Sequence, residues 1–316
     1  MTERRLVNVE ASIRQRLLNL SKTSGEDYGF ALTRYANERF LYRLSKSVHT
    51  DRFILKGGTL ILTWTEELHR PTRDIDFLGL GDDYDDDLIN MVKDVCAVPV
   101  DPDGLVFNTG DMQVTEIRAD DEYQGKRVNF SAILAGAKIY LQLDIGFGDA
   151  VIPGIEEIEY PTMLESPAPR LRAYPKETVI AEKLETMVRL GMVNSRMKDF
   201  YDVWMMSKVF TFDGYVLQAA IKATFNRRRT SISRTIPIAL MCEFAEDKDH
   251  IKQWNAFIKR NSLDIGDAEF DRVIEGINLF LSPIISATAA GLVFRKTWPA
   301  GGLWNDAKNA QNAENA

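Results

Sequence analysis

The sequence predicts an α/β (α+β) protein in which a mixed sheet is followed by a mainly helical C-terminal lobe. Residues 73–80 alternate apolar and polar side chains, and residues 105–145 contain several further short runs of strand-like character. Apolar residues at helical spacing open the chain and recur after residue 175. Strands and helices distributed in this way indicate a sheet-containing first part and a helical second part.

Local sequence patterns predict the individual helices and strands along the chain. Apolar spacing predicts helices over 8–22 and 27–47, and a short β-branched run meets Gly57-Gly58 before a helical segment that reaches Trp64. A strand over 73–80 and a helix over 84–96 follow, and then the runs LVFNTG, VTEIRA, RVNFSAIL and KIYLQLDIGF, which fit a mixed or antiparallel sheet. Beyond these, we expect helices from Pro175 to about Leu190, with Gly191 at the end, and over 196–209, 213–226, 246–260 and 267–281.

Length and composition predict the domain organisation. The chain has 316 residues, of which 45% are apolar and 27% charged, so it is long enough for about two domains of ordinary globular composition. The proline-containing segment 161–175 has no clear periodicity and is expected to be a linker or crossing loop. We therefore expect an α/β lobe with N-terminal helices at 1–160, a helical lobe at 161–304 and, because it is polar and of low complexity, a disordered tail at 305–316.

Composition also excludes several classes of protein. The sequence contains no run of about 18 uncharged apolar residues, so no membrane span is expected. Charged residues near the start argue against a signal peptide. Two cysteines and three scattered histidines resemble neither a disulfide framework nor a zinc site. These observations predict a cytoplasmic protein with reduced thiols.

The net charge of −7 conceals a strong polarity along the chain. Residues 74–123 contain fifteen acidic and two basic residues, whereas residues 170–234 contain thirteen basic and six acidic ones. One interpretation is that such runs are solvated faces, as for Asp82–Asp87. The other is that basic segments flank an acidic metal site and guide a polyanion to it, and the sequence leaves both open.

A pair of aspartates provides the clearest chemistry. Asp74 and Asp76 are two apart on a predicted strand and therefore point to the same side, while Ile75 and Phe77 point into the core. Two adjacent carboxylates repel each other, and a divalent cation such as Mg²⁺ (or Mn²⁺), which prefers hard oxygen ligands, would remove that conflict. The alternative is a solvated strand end.

A third carboxylate ligand is expected on a neighbouring strand. Asp144 fits best, because it lies in a strand-like run among apolar neighbours, where a lone aspartate is costly without a partner. Asp149 is the second choice. If neither binds a metal, Asp144 would be a loop or edge residue that caps a turn.

The segment Gly57-Gly58-Thr59 stands between a strand and a helix. Glycine lets the backbone approach an anion, and a helix N-terminus supplies N–H donors for phosphate oxygens. Together with the aspartates, the turn predicts a site for a metal-bound nucleoside triphosphate, in which the turn holds the terminal phosphates. Taken alone, Gly57-Gly58 could be a simple tight turn.

The combination of GGT at 57–59 with RPTRDIDF at 70–77 resembles the nucleotidyltransferase superfamily that includes DNA polymerase β. More narrowly, the Arg-x-Thr segment before the acidic pair resembles the signature of the AbiEii/AbiGii-type toxin family. Residues 174–206 resemble the downstream motifs of that family, a Lys and a Lys/Arg-Asp-x-x-Asp. The resemblance covers residues 8–206. The sequence departs from the family pattern in two ways. The fifteen residues between Gly58 and Asp74 are somewhat more than the general superfamily pattern has, and Gly58 stands where the family often has Ser.

The resemblance implies a polymerase β-like core and a toxin of a bacterial toxin–antitoxin or abortive-infection system, with a winged-helix antitoxin as partner. It implies metal-dependent transfer of NMP from NTP to an RNA acceptor, with the tRNA 3′ end as the expected target. The implied catalytic residues are Asp74, Asp76, Lys183, Asp199 and Asp202, with Asp74, Asp76 and Asp144 as metal ligands. The implied nucleotide-binding residues are Lys56, Gly57, Gly58, Thr59, Arg70 and Thr72. The basic residues expected to hold the RNA backbone, or else to form an exposed helix end, are Lys222, Arg227, Arg228, Arg229 and Arg234.

The sequence leaves other functions open. The acceptor could be a protein or small-molecule hydroxyl, and the chain could be a catalytically inert module that binds nucleotide or RNA. A metal-dependent nuclease could also use the aspartates, but it would not need the glycine turn and Lys183. Lys183, Asp199 and Asp202 could likewise form an ordinary surface ion-pair ladder.

Overall fold

The computed structural model describes residues 8–65, 70–119, 123–266 and 268–306. The chain divides into two compact units, of which the first is Met1–Gly148 with Ile155–Tyr174 and the second is Asp149–Gly154 with Pro175–Ala316. The chain therefore passes from one unit to the other after residues 148, 154 and 174. Residues 161–174, which the sequence analysis assigned to the helical lobe, belong to the first unit. Residues 307–316 of the expected disordered tail lie outside the described residues.

The described part of the first unit contains one mixed sheet, which confirms the predicted fold class. Its strands β1 to β7 are, in chain order, Phe53–Lys56, Ile75–Gly79, Leu105–Ala119, Tyr123–Leu134, Ala137–Phe147, Glu156–Glu159 and Arg170–Ala173. Their order in the sheet is β3-β4-β5-β2-β1-β7-β6. The pairs β2–β5 and β1–β7 are parallel, and the other neighbouring pairs are antiparallel.

Two details of the sheet differ from the sequence prediction. The runs LVFNTG and VTEIRA were expected as separate strands, but they form the single strand β3, whose pairing with β4 shifts register between Asn108 and Gln113. The segment 161–175 was expected to be a linker or crossing loop, but it contains β7, which pairs with β1 through Leu55 and Ala173. A four-residue strand next to several prolines carries too little periodicity to be recognised.

The helices of the first unit are α1 to α4, with bounds Val9–Ser24, Tyr28–Lys46, Thr59–Thr65 and Asp85–Ala97. The side chains of Asn8 and Asp27 cap α1 and α2 by accepting hydrogen bonds from backbone N–H groups in the first turn. Three aspartates occupy the first turn of α4, where they interact favourably with the helix dipole. The exposed run at 82–87 is thus a solvated helix start, the first of the two interpretations.

The hydrophobic core of the first unit lies between α2 and one face of the sheet. The ring of Phe40 packs against those of Phe107 on β3 and Phe130 on β4. Ile75 and Phe77 are buried, as predicted. Because side chains alternate along a strand, the residues between these positions point to the other face of the sheet, and the site described below is built there.

Charged side chains of α2 also fix the loop that precedes β7. Glu38 accepts a hydrogen bond of 2.7 Å from the backbone N–H of Met163, and Arg39 donates one of 3.1 Å to the Pro167 carbonyl. Burial raises the pKa of Glu38. These bonds explain how a proline-containing segment is ordered beside the sheet.

The described part of the second unit is mainly helical, as predicted. Its helices α5 to α10 are Lys176–Leu190, Met197–Val209, Gly214–Arg227, Cys242–Ala245, Lys248–Asn261 and Phe270–Ala289. Three short strands, β8 to β10, pair at Phe212–Asp213, Lys296–Trp298 and Asn305–Asp306. The rings of Phe200, Phe244 and Phe270 pack together in its core. None of the helices in the described ranges is long and apolar enough to cross a bilayer.

Candidate active site

Three aspartates converge on the face of the sheet opposite α2. Asp76 on β2 lies directly opposite Asp144 on β5, and Asp74 comes immediately before β2. One carboxylate oxygen from each lies within 4.8 Å of the others, and all three side chains are half-buried. The convergence follows from the strand alternation of Asp74 and Asp76 together with the parallel pairing of β2 with β5.

This donor set fits a divalent cation. Three carboxylates at such distances repel one another, and Mg²⁺ prefers oxygen ligands of this kind. The sequence prediction named all three residues, and the structure brings them together. Asp149, the second choice for the third ligand, lies in the second unit, where its carboxylate binds Arg228.

Basic side chains flank the aspartates along the same row of the sheet. Arg127 on β4 lies opposite Asp144, and Lys56 on β1 lies opposite Asp76. The guanidinium of Arg127 holds both oxygens of Asp144, with Nε–Oδ1 at 2.8 Å and Nη2–Oδ2 at 2.7 Å. Gln142 donates a further bond of 3.2 Å to Asp144 Oδ1. Across four strands, the row therefore reads positive, negative, negative, positive.

Gly57 brings the backbone against this row. Its φ of +77° lies in the left-handed region, and a Cβ at this position would overlap the carboxylate of Asp76. Immediately afterwards the chain enters α3, where the N–H of Leu60 donates to the Gly57 carbonyl. Position 57 therefore requires glycine for two separate reasons: the positive φ, and the lack of space for a side chain beside Asp76.

We expect Gly57→Ala to lower the activity of this site by on the order of 10²-fold, since the new methyl group displaces the Asp76 carboxylate. Gly25→Ala is a matched control, because Gly25 also has a positive φ but an added Cβ would have no neighbour within 4 Å. Activity should be measured at protein concentrations corrected for the folded fraction. Equal losses in the two variants would mean that backbone strain, and not the contact with Asp76, is responsible.

The remaining predicted nucleotide-binding residues surround the second glycine. A Cβ on Gly58 would overlap the guanidinium of Arg70 and approach Thr72 Oγ1 to 2.9 Å. Arg70 in turn donates to Thr72 Oγ1 at 2.9 Å and to the Pro71 carbonyl at 3.3 Å. Thr59 Oγ1 donates to the Asp74 carbonyl at 3.4 Å. The structure thus gathers Gly57, Gly58, Thr59, Arg70 and Thr72 beside the aspartates.

Sequence reasoning missed three residues of this site. Arg127 and Gln142 bind Asp144, and Asn37 on α2 donates a hydrogen bond of 2.9 Å to the carbonyl of Arg73, the residue before Asp74. Alternation along β4 could have placed Arg127 on the face of the sheet opposite the buried Val128. Its partner depends on the register of β4 against β5, which the sequence does not specify.

The predicted residues of the second unit form their own cluster. The ammonium of Lys183 on α5 lies 2.6 Å from Asp199 Oδ1 and 2.8 Å from Asp202 Oδ2, both on α6. Arg196 Nε lies 2.6 Å from the other Asp199 oxygen. Lys183 is only 11% exposed and Asp202 is fully buried, so this is not the surface ion-pair ladder considered above.

Electrostatics in this cluster favour the ionised form of Asp199. Burial alone would raise its pKa, but the charges of Lys183 and Arg196 and their hydrogen bonds outweigh burial and hold the pKa well below its usual range. Asp199 is therefore ionised at neutral pH, next to the ammonium of Lys183. Each stabilises the other in a site that excludes most of the water.

The basic residues predicted to bind RNA fall into two groups. Arg228 is committed to carboxylates, since its guanidinium lies 3.2 Å from Asp149, 2.9 Å from Glu185 and 3.3 Å from Glu182. By contrast, Arg227, Arg229 and Arg234 are exposed and Lys222 is half-buried. Arg228 thus anchors the end of α7, and the RNA-binding role of the other four residues stays a prediction.

Comparisons with known proteins identify the family. No curated protein is significantly similar to the chain. Two crystal structures from Helicobacter pylori, a candidate nucleotidyltransferase and JHP933, are each 16% identical with a TM-score of 0.46, and the alignments cover 82% of this chain and 97% and 94% of theirs. Residues 39–276 match the family described as "Nucleotidyl transferase AbiEii toxin, Type IV TA system". Since this match spans most of the chain, the protein belongs to the AbiEii family of nucleotidyltransferase toxins of type IV toxin–antitoxin systems.

Proposed function

We propose that this protein transfers a nucleoside monophosphate from an NTP to a hydroxyl group of RNA, with the 3′ end of tRNA as the acceptor. The observation that carries the proposal is the convergence of Asp74, Asp76 and Asp144 beside the turn at Gly57. Carboxylates that can bind a metal ion, next to a glycine turn against which the guanidinium of Arg70 packs, are what phosphoryl transfer requires. The family assignment supports the transferase class.

The reaction assigns a role to each part of the first unit. The acceptor oxygen bonds to the α-phosphorus, and the bond from that phosphorus to the bridging oxygen breaks, so that pyrophosphate leaves. One carboxylate of the aspartate triad, Asp74, Asp76 and Asp144, takes the proton of the acceptor hydroxyl. Asp74, Asp76 and Asp144 would hold Mg²⁺ or Mn²⁺, which, when bound, polarises the phosphate and activates the hydroxyl. The backbone of residues 57–59, together with Lys56, Arg70 and Thr72, orients the triphosphate.

The proposal also gives roles to charged residues of the second unit. Lys183 neutralises part of the triphosphate charge, and Asp199 and Asp202 hold its ammonium in place. Lys222, Arg227, Arg229 and Arg234 contact the RNA backbone, and Arg228 positions the segment that carries them. The biological setting of this proposal is the cytoplasm, with a winged-helix antitoxin as the partner that controls the toxin.

The test is incubation with each labelled NTP, Mg²⁺ and total tRNA, followed by separation of RNA, protein and small molecules. We expect label at the tRNA 3′ end, and removal of the metal with EDTA should abolish it. Label in the protein or small-molecule fraction would assign a different acceptor. Shortened RNA would indicate a nuclease, and absence of label from every fraction would exclude the transferase.

A further inference from the structure

Arg127 holds the carboxylate oxygens of Asp144 that a cation would need. Its two hydrogen bonds engage both carboxylate oxygens at 2.7 and 2.8 Å, in the parallel geometry that makes arginine–carboxylate pairs strong. The register places Arg127 in the same row as Asp144 and Asp76. The guanidinium thus supplies in this structure the positive charge that a divalent cation would supply.

Arg127 interacts electrostatically with the whole triad. An oxygen of Asp74 and one of Asp76 each lie within 4.8 Å of an oxygen of Asp144, so their negative charges also attract the guanidinium that holds Asp144. Its side chain is 39% exposed, so solvent gives it room to change rotamer. Arg127 is therefore strongly paired with Asp144 and yet has room to move away from it.

We propose that Arg127 is an internal counter-ion that competes with the divalent cation for Asp144 and lowers the metal affinity of the nucleotide-free protein. A cation that binds Asp144 must either displace the guanidinium or share the carboxylate with it at close range. Displacement costs two charge-assisted hydrogen bonds, and sharing places like charges near each other. Either way, metal binding is weaker than three carboxylates alone would give.

The same competition predicts the order of loading. The triphosphate of an NTP offers oxygens both to the cation and to a released guanidinium, for which arginine is well suited. Metal and nucleotide therefore bind cooperatively, and the ion alone binds poorly. This inference rests on the proposed function, because it takes the triad as the metal site.

The test is a Mn²⁺ titration of the full chain without nucleotide, in which electron paramagnetic resonance measures the concentration of free Mn²⁺. We expect Arg127→Met to bind Mn²⁺ about tenfold more tightly than wild type, a factor of the size expected for one close charge in partly solvated surroundings. Arg170→Met is the matched control, because Arg170 lies in the same unit, pairs with exposed Glu159 and carries the same charge. It should leave the affinity unchanged. In an Asp144→Asn background the gain from Arg127→Met should disappear.

The outcomes separate the inference from the proposed function. If Mn²⁺ binds wild type and Arg127→Met equally, or binds the variant more weakly, the competition is excluded while the metal site stands. If neither the wild type nor any variant binds Mn²⁺, even with NTP present, the proposed metal-dependent function is excluded as well.

A measurement on wild type covers the case in which Arg127→Met does not fold. The Arg127 Nε–H resonance, assigned by its loss in Arg127→Lys, should shift when Mg²⁺ and a non-hydrolysable NTP are added. An unmoved resonance in the loaded protein would overturn the proposal.

Discussion

Asp76→Asn is expected to reduce nucleotidyl transfer by about 10³-fold or more while leaving the fold intact. Asp76 lies between the other two carboxylates, opposite Asp144 and two residues after Asp74, so its charge contributes most directly to the binding of a cation. Asparagine keeps the size of the side chain and removes only the charge. Because the three aspartates repel one another, loss of one charge should not destabilise the sheet.

The measurement is the rate of label incorporation into tRNA, at saturating NTP and over a range of Mg²⁺ concentrations. Asp51→Asn is the control, since Asp51 is an exposed aspartate of the same unit in the turn before β1. It should retain full activity. A rate for Asp76→Asn within a few-fold of wild type would show that the triad is not the catalytic centre.

Lys183→Met is expected to destabilise the second unit by about 3–5 kcal/mol at pH 7, the usual cost of leaving a buried charge without its partner. The substitution removes the cation that lies within 2.8 Å of both Asp199 and Asp202. Asp202 is completely buried, and Arg196 contacts Asp199 from a more exposed position. Loss of activity in this variant must therefore be interpreted together with its stability.

The destabilisation by Lys183→Met should depend on pH. In the wild type the pKa of Asp199 lies below its unfolded value, so this group contributes stability that is complete above the unfolded pKa of about 4 and is lost as the pH falls further. Without the lysine, one of the two cations that lower the folded pKa of Asp199 is lost, so this pKa moves back toward its unfolded value. The difference between variant and wild type should therefore shrink as the pH falls below about 4.

Urea unfolding followed by tryptophan fluorescence will measure both effects, because Trp204, Trp254, Trp298 and Trp304 all lie in the second unit. Lys208→Met is the control, as Lys208 is an exposed lysine in the last turn of α6, the helix that carries Asp199 and Asp202. Its effect should stay within about 0.5 kcal/mol. A pH-independent difference for Lys183→Met would mean that lost packing, and not lost charge, causes the destabilisation.

Much of the candidate site could be predicted because its chemistry is local in sequence. Asp74 and Asp76 share a side through strand alternation, and Gly57 is required by a turn between β1 and α3. Asp144 was identified from its apolar surroundings, and the pairing of β2 with β5 places it opposite Asp76. The expected transferase family is confirmed by the match over residues 39–276.

The rest depends on long-range register, which alternation alone does not determine. Arg127 meets Asp144 only because β4 and β5 pair in one particular register. Likewise, nothing in the short acidic strand β6 or in β7 indicates that they extend the sheet beyond β1. Two runs of β3 looked like separate strands because turn-forming residues lie between them. In the structure they form one strand, whose pairing with β4 shifts register at that point.

The short passage of the chain through the second unit at residues 149–154 has a practical consequence for dissecting the protein. It supplies Asp149 to Arg228, and Thr178 on α5 exchanges hydrogen bonds with the backbone of Ile152. No single cut can separate the units cleanly, because a fragment that begins at Pro175 lacks these partners. Half-length expression products should therefore be poorly soluble, and co-expressed halves should recover better than either alone.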